Sequence, residues 1–368
     1  MARAKETILE IDLRALEHNY HYLRSKLKPK TKFLAVVKAF AYGSDAEIIA
    51  QKMESLGVDY FAVAYVDEGV VLRNAGITKP ILVLHPQPIN FDTLIERCLE
   101  PSIYSPKILK QFLDTAKKHG QQDYPIHIKF NTGLNRLGFL ENDINFIVDQ
   151  TRSRKEIKIS SVFSHLAASE DLNEDKFTRS QIAAFQKIIT KLDGKLGFTP
   201  FKHLLNTSGI INYPESQLDM VRSGIGLYGY GNEAKIDAQL KPIATLKTII
   251  SQIHKLEPGE SVGYNRAYTS SHYQATATLP IGHADGIGRQ YGKGNTYVLV
   301  KGKKAPIIGN ICMDMMMIDI TGIQCEEGDE VLVFGPELSA QKFAQTANTI
   351  SYEVLTGISQ RVKRMVTV

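Results

Sequence analysis

The sequence predicts an α/β protein: a (β/α)8, TIM-like barrel followed by a mostly β C-terminal domain. Three observations carry that expectation. Eight short apolar runs of strand length recur through roughly the first two-thirds of the chain. Helical patterns separate most of them, the alternation that builds parallel strands with crossover helices. From about Ala244 the texture changes to alternating, β-branched segments of the kind that form antiparallel sheet. The expected domains are residues 1–240 and 241–368, with residues 1–12 pairing with the second.

Taken in order, Ile8 to Asp12 reads as a strand outside the barrel count. Leu13, Leu16, Tyr20, Leu23 and Leu27 then recur at spacings of three and four, which puts them on one helical stripe. Phe33 to Val37 is the first barrel strand. Ser44-Asp45-Ala46-Glu47 has the pattern of a capping box, opening a helix that carries Ile48, Ile49, Met53 and Leu56. The other seven strands are Tyr60 to Ala64, Ile81 to Leu84, Pro101 to Tyr104, Ile126 to Phe130, Ile157 to Phe163, His203 to Leu205 and Asp219 to Val221. Helices are clearest at Ser105 to Lys118 and Lys176 to Leu192, and the last two crossovers are short. Eight such units match the ~250 residues of this architecture. In the second domain the expected strands are Ala275 to Leu279, Thr296 to Val300, Ile307 to Ile311, Met315 to Ile320 and Glu330 to Phe334. Gly-Lys-Gly, Lys-Gly-Lys and Glu-Gly-Asp supply turns, and one helix lies near Ala340 to Thr349.

Composition narrows the function classes. The chain has 368 residues, and its 44 basic against 39 acidic residues give a net charge of +5 without a dense basic block, so no nucleic-acid partner is expected. No segment approaches the ~20 apolar residues of a membrane span and no apolar signal core follows Met1, so the expectation is a cytoplasmic protein with no membrane partner. Cys98, Cys312 and Cys325 are odd in number and lack C-x-x-C spacing, which predicts neither a disulfide framework nor a metal site.

The residue that draws attention is Lys38, set directly after the apolar run FLAVV and four residues before Tyr42. A lysine there either escapes to solvent or is used. If partly desolvated, its amine becomes a nucleophile able to form a Schiff base with a carbonyl. Loops after barrel strands form the active face, so polar residues just past each strand are the next candidates. They are Lys129, Arg136, His165, His203, Asn206, Thr207 and Arg222, followed by Gly224 and Ile225. The Thr207 hydroxyl and the backbone of Ser223 to Gly226 sit where barrels commonly hold a phosphate, although glycines there also serve as plain turn residues. A carbonyl-seeking lysine together with a phosphate site points to pyridoxal 5'-phosphate.

These residues lie in motifs that resemble alanine racemases over essentially the whole length: KAFAYGSD at Lys38 to Asp45, KFNTGLNRLG at Lys129 to Gly138 and SHLAASED at Ser164 to Asp171. HLLNTSG from His203, VRSGIGLYG from Val221, VGYNRAYT from Val262, LPIGHADG from Leu279, ICMD from Ile311, SYEV from Ser351 and a following RVKR extend the match in order. The resemblance implies a pyridoxal phosphate-dependent racemase that interconverts L- and D-alanine and supplies D-alanine for peptidoglycan.

By the same resemblance Lys38 tethers the cofactor as an aldimine, while Tyr42, Thr207, Gly224, Ile225 and Tyr352 bind its phosphate, with Asn206 nearby. Arg222 faces the pyridine nitrogen and His165 lies beside the ring. Arg136 contacts the phenolic oxygen, with Lys129, a position often carbamylated in the family, next to it. A two-base mechanism is implied, Lys38 on one face of the substrate and Tyr264 of the other subunit on the opposite face. Met313 and Asp314 accompany Tyr264 in the shared site of a head-to-tail homodimer. Phe40 and Ser44 stand where the family has asparagine and histidine, Asn131 replaces an aspartate, Thr207 a serine, and His283 an entrance tyrosine. These departures leave open a wider substrate range. A racemase portion of a fusion with a cell-wall ligase is a further alternative.

Overall fold

A computed structural model describes residues 5–231 and 233–367. Residues 1–4, part of the segment expected to pair with the second domain, lie outside the described residues. The chain forms two compact units: Glu17–Ala41 with Ala46–Leu240, and the residues up to Leu16 with Tyr42–Asp45 and Lys241–Val368.

The chain opens with β1 (Ile8–Asp12) and α1 (Leu13–Ser25). The first unit is then built from β2 (Lys32–Val36), the short α2 (Lys38–Gly43), α3 (Ala46–Ser55), β3 (Tyr60–Val63), α4 (Val66–Asn74) and β4 (Ile81–Val83). It continues through α5 (Phe91–Glu96), β5 (Glu100–Ile103), α6 (Pro106–Lys118), β6 (Tyr124–Lys129), α7 (Ile144–Thr151) and β7 (Ile157–Phe163). It ends with α8 (Asp175–Leu196), β8 (Phe201–His203), α9 (Thr207–Asn212), β9 (Met220–Ser223) and α10 (Ala234–Asp237). Strands β2 to β9 close into a barrel in sequence order, every pair parallel, with Lys32 to Ala35 of β2 returning to Met220 to Ser223 of β9. That is the expected barrel. Continuous apolar runs such as Phe33-Leu34-Ala35 are buried because each strand has the barrel interior on one side and a helix on the other. Helix α6 starts where Ser105 accepts from the Ile108 amide and Pro106 supplies a preset φ.

One part of the interior departs from the branched aliphatic filling usual in such barrels. Ser102, His127, Ser161 and His203 are fully buried on β5 to β8, with Glu100 beside them.

The second unit holds β10 (Ala244–Ile249), β11 (Gln252–Leu256), β12 (Ser261–Val262), β13 (Tyr268–Thr269), β14 (Gln274–Leu279) and β15 (Tyr297–Val300). After these come β16 (Lys303–Ile308), β17 (Met316–Asp319), β18 (Glu330–Phe334), α11 (Ala340–Gln345), α12 (Ser351–Gly357) and β19 (Lys363–Thr367). Nine strands form one sheet in the order β11-β14-β17-β16-β15-β18-β10-β1-β19. Within it β1 runs antiparallel to β10 and parallel to β19, Ile8 facing both Lys247 and Lys363.

Two expectations are corrected here. The strand read at Ile307 to Ile311 begins earlier, at Lys303, because Lys301 and Gly302 take left-handed φ values of 50° and 77° and turn the chain tightly out of β15. The helix read at Ala340 to Thr349 stops at Gln345 and a second helix, α12, follows. Strands β10 to β13 and β19 escaped the sequence reading. Lysines fall in β10, β11 and β19, most of β11 and much of β19 face solvent, and β12 and β13 are two residues each. Among the described residues no helix is long and apolar enough to cross a membrane, and no group of three or more His, Cys, Asp or Glu could hold a metal ion.

Candidate active site

The site is built from the carboxyl ends of the barrel strands. Two residues past β2, Lys38 opens α2, a turn in which Ala39, Phe40, Ala41 and Tyr42 have φ between 51° and 54° and Gly43 has 79°. This is a left-handed helical turn. Each L-residue in that conformation costs roughly 1–2 kcal/mol, so something must hold it. At its start the Ala39 amide donates to Glu68 Oε1 at 2.6 Å, and Ala41 donates to the Val37 carbonyl at 3.0 Å. Glu68 Oε2 also accepts from the amides of Ala64 and Tyr65, so one carboxylate of α4 fixes the end of β3 and the exit from β2 together. At the other end, in the second unit, Arg364 donates to the carbonyls of Gly43 and Ser44. A Cβ on Gly43 would run into the Leu355 carbonyl, so this residue must be glycine for space as well as for φ.

Lys38 is half-buried. Burial, and then the Arg136 guanidinium, depress its basicity, against an opposing pull from Glu68. Around it stand three further cations. Lys129, 6% exposed at the end of β6, is pushed down to about 8 by burial and by Arg136, Arg222 and Lys38. Arg136 is exposed in the loop after β6. Arg222, 4% exposed on β9, is lowered to about 9 by burial and remains charged at neutral pH. Phe163 of β7 lies under two of them, its ring center 5.8 Å from Lys129 Nζ and 5.3 Å from the Arg222 guanidinium.

Arg222 is held in several directions. Its Nη1 donates to His203 Nδ1 at 2.7 Å, and its Nη2 faces the carbonyls of Ser164 and Leu204 and His165 Nδ1 at 2.7, 3.1 and 3.1 Å. An arginine only donates, so His165 Nδ1 accepts and the ring carries its proton on Nε2. Burial and the surrounding cations hold His165 well below the usual histidine range, which keeps it neutral.

After β8, Thr207 is buried, with Oγ1 3.0 Å from Ser223 Oγ and accepting from the Gly226 amide at 3.3 Å. A Cβ at Gly226 would strike the Thr207 methyl. Gly224 and Ile225 follow β9 directly, buried in a turn that Leu227 closes by donating to the Gly224 carbonyl. Asn206 caps α9, its Oδ1 accepting from the Gly209 amide and from Ser169 Oγ.

The remaining candidates lie in the β-rich unit. Tyr42 is buried, with its ring 5.9 Å from that of Tyr352 on α12, and burial followed by Tyr352 raises its hydroxyl well above the usual tyrosine range. Tyr264 is 74% exposed and, with Met313, Asp314, Met315 and Met317, lines a surface cleft. Its carbonyl accepts from Asn310 Nδ2. The Met313-Asp314 segment is pinned where His283 and Ala284 donate to the carbonyls of Cys312 and Met313, and a Cβ at Gly282 would strike both of those carbonyls. Arg361 bridges Asp285 and Asp314, with contacts of 2.7 Å to each.

Sequence reasoning did not find Glu68, Phe163, Arg361 or Arg364 as supports of the site. A glutamate five residues after the end of the second barrel strand, three after Tyr65, was a local signal for Glu68. The other contacts form only when distant segments meet.

The barrel groups described around Lys38 are cationic or neutral apart from Glu68, and an anion would relieve the repulsion among Lys38, Lys129, Arg136 and Arg222. An eight-stranded parallel barrel whose carboxyl face presents a lysine of lowered basicity among such donors has the architecture of a barrel enzyme with an amine available as a nucleophile. Family profiles narrow this: the alanine racemase N-terminal domain matches residues 11–232 and the alanine racemase C-terminal domain matches residues 243–366. Alanine racemase 2 of Caldanaerobacter subterraneus subsp. tengcongensis is 35% identical over 370 residues, covering 98% of this chain and 95% of its own. The alanine racemase structure from Clostridium difficile 630 superposes with a TM-score of 0.92 at 34% identity, over 100% of this chain and 97% of that one. An alanine racemase from Bartonella henselae, solved with covalently bound pyridoxal phosphate, gives a TM-score of 0.90 at 28% identity, over 99% and 100% of the two chains. The chain belongs to the alanine racemase family and is an isomerase.

Proposed function

We propose that the protein racemises alanine with pyridoxal phosphate held on Lys38, by a two-base mechanism in a homodimer, and supplies D-alanine for peptidoglycan. The observation that carries this reading is the placing of Lys38 two residues past a barrel strand in a turn held by Glu68, with its basicity lowered by burial and by Arg136. Lys38 Nζ would tether the cofactor. Thr207 and the Gly224 and Ile225 amides would hold the phosphate, with Tyr42 and Tyr352 as hydroxyl donors. Its raised pKa keeps the Tyr42 proton in place for that purpose. The bound cofactor supplies an electron sink that acidifies the Cα–H of alanine.

The chain's own groups then manage the proton. Lys38 carries a larger share of free amine near neutral pH than an exposed lysine does, so it can take the Cα proton on one face or return it. On the opposite face that role falls to Tyr264 of the partner subunit. Neutral His165, with its proton on Nε2, and the Arg222 charge are the groups that would stabilise a phenolate there. One proton leaves Cα and one returns, so the reaction balances without an oxidant. Arg222 stays protonated and would face the ring nitrogen, where a charged donor would keep that nitrogen unprotonated, weakening the sink and limiting side reactions. Arg136, with a carbamate on Lys129 beside it, would contact the phenolic oxygen and the substrate. Met313 and Asp314 would border the entrance, where exposed His283 leaves room to test serine, lysine and arginine as substrates.

Borohydride reduction followed by peptide mapping tests the tether: the reduced cofactor belongs on the peptide carrying Lys38, and its appearance elsewhere overturns the assignment. Chiral chromatography of L-alanine incubated with the enzyme tests the reaction itself.

A further inference from the structure

The proposed chemistry uses Arg222 but not the buried polar side chains behind it. Those side chains form a continuous line. Arg222 Nη1 lies 2.7 Å from His203 Nδ1, and His203 Nε2 lies 2.9 Å from Ser161 Oγ. Ser161 Oγ is 2.6 Å from His127 Nδ1, and His127 Nε2 is 2.6 Å from Glu100 Oε2. The line starts on β9 and passes through β8, β7 and β6 to the first residue of β5. The histidines and Ser161 are fully buried.

The two ends fix the direction of every bond. Arginine can only donate, so His203 Nδ1 accepts and its proton sits on Nε2. That proton goes to Ser161, whose hydroxyl then donates to His127 Nδ1. His127 in turn carries its proton on Nε2 and donates to the Glu100 carboxylate. Between neutral rings, reversing any one link would leave two donors or two acceptors facing each other. Two neighbours reinforce the arrangement: Phe163 stacks on His203 at 4.7 Å and 12°, and the Tyr60 ring stands edge-on to His127 at 6.0 Å and 87°. Burial, then Arg222 and His127, hold His203 well below the usual histidine range, in keeping with a neutral ring. Burial, then Glu100, raises the Tyr60 hydroxyl, as expected beside a carboxylate.

A barrel interior filled by aliphatic residues would be easier to bury than four polar groups in series. We propose that Glu100, His127, Ser161 and His203 are positioning residues, a one-way hydrogen-bond relay in which the carboxylate orients His127, His127 and Ser161 leave His203 Nδ1 free to accept, and the guanidinium of Arg222 is thereby fixed. The inference rests on the reading that Arg222 faces the cofactor's ring nitrogen. Glu100 thereby acts on the reaction through four hydrogen bonds without touching substrate.

The test uses holoenzyme with nitrogen-labelled histidine. In the wild type, imidazole nitrogen NMR is expected to show His127 and His203 neutral, each protonated on Nε2; a proton on Nδ1 of His203 overturns the relay without any variant. Glu100→Gln keeps the shape but can present N–H to His127 Nε2, so the His127 tautomer and, through Ser161, the His203–Arg222 contact should change. The visible absorption band of bound pyridoxal phosphate should shift with them, and kcat should fall about tenfold with KM for alanine nearly unchanged. Ser161→Ala is expected to reproduce the loss, and Ser161→Thr, which keeps the hydroxyl, to restore most of it. An unchanged His127 tautomer in Glu100→Gln overturns the relay. Tautomers that change while band and kcat stay fixed overturn instead the placing of Arg222 at the ring nitrogen.

Discussion

Lys129 is the residue whose titration is easiest to check. Its folded pKa of about 8 lies below the ordinary 10.5. Between those values the unfolded chain still holds a proton that the folded chain has released, so this group makes stability rise as pH rises through the window. Below about 8 the buried charge opposes folding in full. Lys129→Gln should therefore raise the Tm of the cofactor-free protein at pH 7, by about 3 °C, and much less at pH 10. The same free amine can add carbon dioxide, losing a proton as it becomes a carbamate. Carbon NMR with labelled bicarbonate should show a carbamate carbonyl in the wild type that Lys129→Gln lacks. Glu68 offers a prediction of the opposite kind. Removing its carboxylate in Glu68→Ala strands three backbone amides, which should cost about 1–3 kcal/mol in denaturant unfolding. It also removes the one neighbour that raises Lys38, so the pH at which the protein captures pyridoxal phosphate should move down. An upward move would mean that Glu68 is not felt at Lys38.

Among the elements, the left-handed turn α2 is the most informative. Phe40 is 55% exposed with φ of 53°, a conformation that a bulky side chain resists and asparagine tolerates. The asparagine usual in the family at this position thus has a backbone explanation. Phe40→Asn should stabilise the protein by about 0.5–1 kcal/mol, measured by denaturant unfolding, and Gly43→Ala should destabilise it severely because the added methyl meets the Leu355 carbonyl. Legibility in the sequence divides along the same line. Barrel strands were readable because burial on two faces leaves an apolar run, and Lys38, Lys129, His165, Thr207 and Arg222 were readable because they follow such runs. The handedness of α2 was not, since AFAY carries no glycine before Gly43 and the conformation is imposed by Glu68 and Arg364 from far along the chain. His127, one polar residue in YPIHIK, was a visible oddity whose partners only the closed barrel reveals.

For the whole molecule, the shared-site proposal makes a quantitative claim. If Tyr264 completes the site of a partner subunit, Lys38→Ala and Tyr264→Phe chains are each impaired alone but complement one another in a mixed dimer. Half of the dimers are mixed after random exchange and each has one intact site, so activity should recover to about one quarter of wild type. Recovery of nothing would place both groups in one chain. The exposed Tyr264, Met313 and Met315 form the kind of apolar surface that marks such an interface. The pairing of β1 with β10 and β19 has a further consequence during synthesis. A ribosome delivers β1 first and its two partners on the order of 200 or more residues later, a delay of roughly ten seconds or longer. Throughout that interval Ile8, Leu9 and Ile11 form an orphan strand on the nascent chain. The barrel can mature while the sheet waits, and a prematurely terminated polypeptide would keep that sticky edge uncovered, a handle by which chaperones and proteases could tell it from a finished one.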